Sequence, residues 1–129
     1  MSIIYTANTA PQVVPVNGTI SLGGVIRKCG RHLSASGGVI NVMGSGYYQI
    51  DTLFNILGTA AGAVTVTLYK DGIAIPGASA TVTVGDGGLA TLNIPAVVRE
   101  MCCCESTITA ELSGTAATIN SASAVVSKI

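Results

Sequence analysis

The side chains with the greatest chemical reach in this chain are four cysteines and one histidine. Three of the cysteines are consecutive, Cys102-Cys103-Cys104, and the fourth opens Cys29-Gly30-Arg31-His32. Thiolates and imidazole are zinc ligands, and a tetrahedral site draws on ligands a few residues apart so that they converge on one metal. Cys29 and His32 have such a spacing. Neighbouring side chains on a strand point to opposite faces, so Cys102 and Cys104 are the members of the triplet able to converge. The zinc set is then Cys29, His32, Cys102 and Cys104. A second reading is a disulfide from Cys29 to one of Cys102, Cys103 and Cys104, which would restrict the unfolded chain by closing a long loop, a contribution on the order of several kcal/mol. A third leaves the thiols unbonded as small buried apolar groups, and bridges between subunits around a threefold axis are a fourth. Synthesis in the cytosol implies reduced thiols at first, with oxidation after release.

The remaining chemistry is sparse. His32 has no nucleophile or orienting carboxylate beside it in sequence, so it lacks the surroundings of a catalytic base. The acids are Asp51, Asp71, Asp86, Glu100, Glu105 and Glu111, and Asp71 and Asp86 are explained by the glycines that follow them in turns. Gly85-Asp86-Gly87-Gly88 is faintly like a calcium-binding turn but is not repeated. No phosphate-binding loop, Gly-x-Ser-x-Gly elbow or dinucleotide fingerprint is present. The expectation is a protein that is not an enzyme and needs no cofactor. Arg27, Lys28, Arg31 and His32 form a basic cluster. It reads either as a contact for an acidic patch on a partner or as a solvated strand edge, where cations discourage edge-to-edge pairing.

Charged residues make up 9% of the chain against roughly a quarter in an ordinary soluble domain, while 49% is hydrophobic. Such a chain stays in solution if copies of itself or another protein cover much of its surface. Thr, Ser, Asn and Gly interrupt every apolar run, so no stretch reaches the roughly 20 residues of a spanning helix. The net charge of zero and 4% aromatic content lack the basic face and stacking rings of a nucleic-acid binder. The first residues carry no basic region followed by an apolar core, which implies assembly in the cytoplasm rather than secretion. On that route the Asn17-Gly18-Thr19 glycosylation triplet is accidental.

The elements that must position these residues are strands. Val64-Thr65-Val66-Thr67-Leu68-Tyr69 alternates strictly, and Asp71-Gly72 behind it is a tight-hairpin signal, because both central residues of a type I′ turn need positive φ. Residues 73–75 return, and Pro76-Gly77 is expected to break that strand. Further strands are read at 19–22, 25–32, 39–42, 80–84, 89–97, 107–112 and 117–126, with small-residue turns between them, the pattern of a sandwich or barrel. The run after Gly46 differs. Tyr48, Ile50, Phe54 and Ile56 share one face, yet Tyr47, Leu53 and Leu57 occupy the other. A strand apolar on both faces needs cover on both, and Tyr47, Leu53 and Leu57 are assigned to a subunit interface. Residues 1–18, with Pro11 and Pro15 and no clean alternation, are read as an extended N-terminal arm with a short strand near Ile3–Tyr5. Residues 19–129 form the sandwich domain.

Gly46-Tyr47-Tyr48-Gln49-Ile50, the 64–72 hairpin segment, Ile108-Thr109-Ala110-Glu111-Leu112-Ser113-Gly114 and the closing Ala124-Val125-Val126-Ser127-Lys128-Ile129 resemble the trimeric jelly rolls of the tumour-necrosis-factor-like superfamily. That group includes complement-type globular heads and spore-surface tip domains. The chain as a whole, Ile94-Pro95-Ala96-Val97-Val98-Arg99-Glu100 included, is similar to small proteins encoded by phages and prophages. The resemblance implies an all-β jelly-roll sandwich of eight to ten antiparallel strands that forms a homotrimer. It further implies a structural virion protein on the capsid surface: a capsid decoration protein or head-fibre tip whose partner is the major capsid protein or another virion protein. Ile3, Ile4, Tyr5, Arg27, Lys28 and Arg31 would make that contact. Two alternatives stand beside it: a trimeric receptor- or glycan-binding fibre head using loops 58–63 and 84–88, and a spore or cell-surface structural protein. The absence of a collagen-like stalk disfavours the spore-tip form.

Overall fold

The computed structural model describes residues 2–101 and 105–129. Twelve strands follow one another: β1 (Ile3–Asn8), β2 (Gln12–Val14), β3 (Thr19–Ile20), β4 (Gly24–Cys29), β5 (Leu33–Ser36), β6 (Val39–Met43), β7 (Gly46–Gly58), β8 (Gly62–Lys70), β9 (Ile73–Val84), β10 (Leu89–Glu100), β11 (Glu105–Gly114) and β12 (Ala117–Lys128). They form two antiparallel sheets packed as a sandwich. The first runs β10-β7-β12-β1-β4, with β2 also on β12, and the second runs β5-β6-β11-β8-β9, with β3 also on β11. Of the sandwich or barrel that the alternating pattern implied this is the sandwich, and it has the jelly-roll form that the resemblance implied. The count exceeds the expected eight to ten because β2 and β5, both short, escaped the sequence reading.

Alternation places the core. In β7 the side chains of Tyr48, Ile50, Thr52, Phe54 and Ile56 point between the sheets, where they meet Val64, Val66 and Leu68 of β8 and Ile108, Ala110 and Leu112 of β11, all buried. Thr52 is the polar member of the β7 row, and its hydroxyl donates to the Ile94 carbonyl at 2.8 Å, which removes the cost of burying it.

The Asp71-Gly72 hairpin forms as expected, with φ of 52° and 80°, both in the left-handed region that a type I′ turn demands. The turn is also clamped to β11. Asp71 N–H donates to the Thr107 carbonyl and Thr107 N–H donates to Asp71 Oδ1, both at 2.9 Å. Pro76 does not end its strand. β9 continues past it, and the register shifts so that residues 75–78 oppose Leu68 alone. Proline is tolerated because β9 is an edge strand and the bulge leaves its position outside the ladder. The strand expected over 25–32 stops at Cys29, where Gly30 turns at φ 85°, and the chain resumes as β5.

The N-terminal segment is a correction of larger consequence. Residues 2–18 are not a free arm. β1 lies inside the first sheet, paired with β12 on one side (Ile4 with Val126, Tyr5 with Val125) and β4 on the other (Ile4 with Lys28, Tyr5 with Arg27), and β2 pairs with β12. Ile4 is fully buried, so it cannot make the outside contact assigned to it, and Ile3 is only partly exposed.

Successive long strands run in opposite directions, which sorts the loops onto two ends. One end carries 59–61, 85–88 and 115–116. The other carries Ser2, 30–32, 44–45, 71–72, Met101 and 128–129.

Candidate functional site

The two outward faces of the sandwich differ in chemistry. On the β8–β9 pair the outward side chains are hydroxyls that bond one another: Thr65 with Thr81 at 2.8 Å and Thr67 with Ser79 at 3.2 Å. Water readily wets such a face. The outward face of the first sheet is built differently. Cross-strand register sets Leu89 beside Leu57 and Thr118, then Thr91 beside Asn55 and Ser121, and then Asn93 beside Leu53, Ser123 and Ala7. Lower down come Pro95, Asp51, Val125, Tyr5 and Arg27 in one row, followed by Val97, Gln49, Ser127, Ile3 and Cys29. Arg99 and Tyr47 close the series.

Tyr47, Leu53 and Leu57 therefore share the outward face, as the alternation required. Tyr47 is 53% exposed and Leu53 38%; Leu57 is half-buried. Sequence reasoning missed three further members of this face: Leu89 (76%), Val97 (57%) and Val13 (81%). The signal was present for the first two, since they have the opposite phase to Leu92 and Ile94 on β10. Polar members are tied down locally. Thr91 Oγ1 donates to Asn55 Oδ1 at 3.0 Å, and Asn55 Nδ2 donates to Ser121 Oγ at 2.6 Å. The Arg99 guanidinium lies 5.9 Å from the Tyr47 ring centroid, a cation–π distance. Among the described residues only Asp51, Arg27 and Arg99 bring charge to the outward face of the first sheet. The exposed apolar side chains there fall into two groups, Leu89, Leu57 and Val13 on one side of the Thr91–Asn55–Ser121 row and Leu53, Tyr5, Val97 and Tyr47 on the other, and exposed apolar groups gathered on one face mark an interaction site.

The end that holds the chain termini collects most of the remaining charge: Arg31, Lys70, Arg99 and Lys128 with Asp71, Glu100 and Glu105. Lys70 Nζ donates to the Arg99 carbonyl at 2.8 Å. The Asp71 carboxyl is held below its ordinary range, chiefly by the Thr107 N–H; desolvation opposes this, and the Ser106 hydroxyl and Lys70 assist. Tyr48 donates its buried hydroxyl to the carbonyls of Met43 and Gly44, at 3.0 and 2.9 Å. Its titration is pushed up by burial and then by the Glu100 carboxylate. Glu100 is itself buried; Oε1 accepts from Met101 N–H at 3.2 Å, and Oε2 has no hydrogen-bond partner among the described residues. At the opposite end Asp86 is the charged residue of the turns 59–61, 85–88 and 115–116.

Of the residues named for zinc and for a disulfide, Cys102, Cys103 and Cys104 lie outside the described residues. Cys29 is exposed at the end of β4. His32 Nδ1 is 3.0 Å from Ser2 Oγ, and the ring packs against Gly44, where a Cβ would stand 2.6 Å from Cδ2. Among the described residues no three His, Cys, Asp or Glu side chains cluster as metal ligands. Arg27, Lys28 and Arg31 are exposed and Tyr5 is exposed on the outward face. These four remain available to a partner, whereas Ile4 does not. Loops 58–63 and 84–88 adjoin: Gly58 N–H donates to the Gly88 carbonyl and Gly87 N–H to the Gly58 carbonyl, both at 2.8 Å.

Two cavities flank the charged end. One, of about 330 Å³, opens between the sheet edges beside the bulge and is lined by Ile73, Ile75, Pro76, Val97 and Val98 among others. The other, of about 450 Å³, is lined by Ser2, Gly30, Arg31, His32, Lys128 and Ile129. Among the described residues no helix is long and apolar enough to cross a membrane.

No protein-family model matches the chain, and no curated protein matches it by sequence. Solved structures do match over its whole length. The globular domain of zebrafish complement 1qA superposes with a TM-score of 0.71 at 7% identity, covering 100% of this chain and 98% of that one. Murine APRIL at pH 5.0 gives 0.66 at 16% identity, with 99% and 98% covered. The PRD1 vertex protein P5 gives 0.63 at 14% identity, with 99% and 96% covered. At these identities the likeness is one of fold: the chain has the jelly roll of the tumour-necrosis-factor-like and complement-head-like proteins.

Proposed function

We propose that the chain is a structural protein without enzymatic activity, a homotrimeric head that decorates a phage particle by binding its capsid protein. The observation that carries this reading is the first sheet's outward face. Tyr47, Leu53, Leu57, Leu89, Val97 and Tyr5 lie on one nearly uncharged surface, while the other sheet turns hydroxyls to solvent. Covering that surface with two further copies removes the apolar area from water at roughly 25 cal/mol per Å², and a standard interface of about 1,600 Å² offers ample gross driving force before ordering costs. The likeness of fold to a viral vertex protein supports a place on a virion. Lys28 and Arg31, exposed on and just beyond β4, suit an acidic patch of the capsid, and the opposite end, with Asp86 in its turns, faces solvent.

The receptor-binding alternative would use loops 58–63 and 84–88. They do adjoin, but they are built of Gly, Ala and Thr without an aromatic ring on which a sugar could stack. Sedimentation velocity on the purified chain tests the assembly, with the mass of three copies expected and a single copy overturning it. Mass spectrometry of particles released from cells that encode the chain tests the location; its absence from purified particles overturns the virion role.

A further inference from the structure

We propose that Asp51 of one copy pairs with Arg27 of the next, closing the ring of three; the inference rests on the homotrimer reading above. Asp51 is the sole carboxylate on the outward face of the first sheet among the described residues. Pro95 and Val125 stand directly across from it, and Gln49 and Leu53 flank it along β7 on the same face. Covering this face with a second copy strips water from an ionised group, which costs several kcal/mol unless a cation takes the water's place.

Arg27 is that cation. It lies on the same cross-strand row, Pro95–Asp51–Val125–Tyr5–Arg27, but three strands away. At the usual spacing between strands the two are roughly 14 Å apart within one chain, too far to pair. A threefold contact is heterologous, so one part of the face meets a different part of its neighbour. With strands running along the axis, rotation preserves height, and a row meets the same row of the next copy. The edge cation of one copy then faces the central anion of another. β4 is built to be covered in this way, since every one of its residues is exposed, Val25 and Ile26 included. Arg99 is the competing cation, but it lies two rows lower and is already placed over the Tyr47 ring.

The test measures trimer association of the full chain by sedimentation equilibrium, for the wild type, Asp51→Asn, Arg27→Glu and the double exchange Asp51→Arg with Arg27→Glu. Removing or reversing one partner should raise the concentration of half-association about tenfold or more, within the range seen for charge pairs at interfaces. The double exchange should recover most of that loss. Asp51→Asn decides the sign: a carboxylate buried without a cation would associate better once neutralised, so an equal or tighter trimer overturns the pairing. Failure of the double exchange to recover overturns it too. So does dissociation of the wild type by EDTA, because three Asp51 carboxylates would then surround a metal ion on the axis. A monomeric wild type removes the homotrimer reading itself, an outcome separate from all of these.

Discussion

Leu53→Asp should separate assembly from folding. Leu53 projects from the middle of β7 onto the outward face, between Asn93 and Ser123 on the flanking strands, and it is 38% exposed in the single chain. Fully burying a leucine is worth about 1.5–3 kcal/mol, so the exposed fraction contributes roughly 0.6–1.1 kcal/mol per copy when covered. The substituted carboxylate adds a desolvation penalty of about a kcal/mol or more per copy once it is enclosed. A conservative total of about 2 kcal/mol per copy, or about 6 for three, weakens the trimer constant by roughly four orders of magnitude. Because that constant scales with the square of concentration, half-association moves up about a hundredfold. The monomer should keep its fold, since Phe54 and Thr52 on the opposite face are untouched and the position can be hydrated. Sedimentation velocity across a dilution series reads the first effect, and circular dichroism reads the second. A variant that retains the wild-type mass across that series would refute the claim that this face is the interface.

Three further outcomes follow from the same structure. Tyr48→Phe removes a buried hydroxyl that serves two carbonyls and should cost about 1–3 kcal/mol of stability, read as a lower urea midpoint with an unchanged slope. Gly72→Ala puts a Cβ on a residue at φ 80° with open space around it, so strain alone should cost about 1 kcal/mol; Gly85→Ala, also open but without positive φ, should be close to neutral in thermal melts. The lowered Asp71 titration sets a sign for acid behaviour. A carboxyl whose folded pKa lies below its unfolded value contributes stability above the ordinary value of 3.8, and that contribution fades as pH falls through the folded pKa. Asp71→Asn, which tolerates the turn, should therefore flatten stability against pH in the acid range below about 4, and an unchanged acid profile would count against the Thr107 bond as its cause.

What the sequence made legible was whatever depends on neighbours along the chain. The Val64–Tyr69 alternation, the Asp71-Gly72 turn and the two-faced apolar pattern of residues 46–58 all read correctly, because side-chain phase and turn geometry are local. A short strand near Ile3–Tyr5 was legible, but the place of β1 inside the sheet was hidden for the opposite reason. Its partners on β12 are Ala122 to Ser127, more than a hundred positions away, and nothing in Ile3–Asn8 announces them. Two prolines downstream gave the segment the look of an arm. Pro76 misled in a related way, since proline bars a residue from a central ladder but not from an edge strand with a bulge, and edge position is a property of the whole sheet. The apolar face itself was half legible: Tyr47, Leu53 and Leu57 were visible on one strand, while Leu89, Val97 and Val13 joined them only when β10 and β2 took their places.

The same distinction explains why assembly is a stronger inference here than chemistry. A catalytic or metal site is recognised by a few side chains converging, and among the described residues no three His, Cys, Asp or Glu side chains gather as a metal site would require. An interface is recognised by the average character of a whole face. Charge is scarce on both outward faces of the sandwich; what sets the first sheet apart is the exposed apolar side chains it presents there, Leu89, Val97, Tyr47 and Leu53 among them, where the second sheet presents hydroxyls. The hydroxyl ladder of the other sheet and the ionic end near the termini supply the hydration that keeps the chain dispersed. An evenly apolar surface would aggregate without specificity, whereas a single apolar face on an otherwise wetted sandwich favours association that stops once that face is covered.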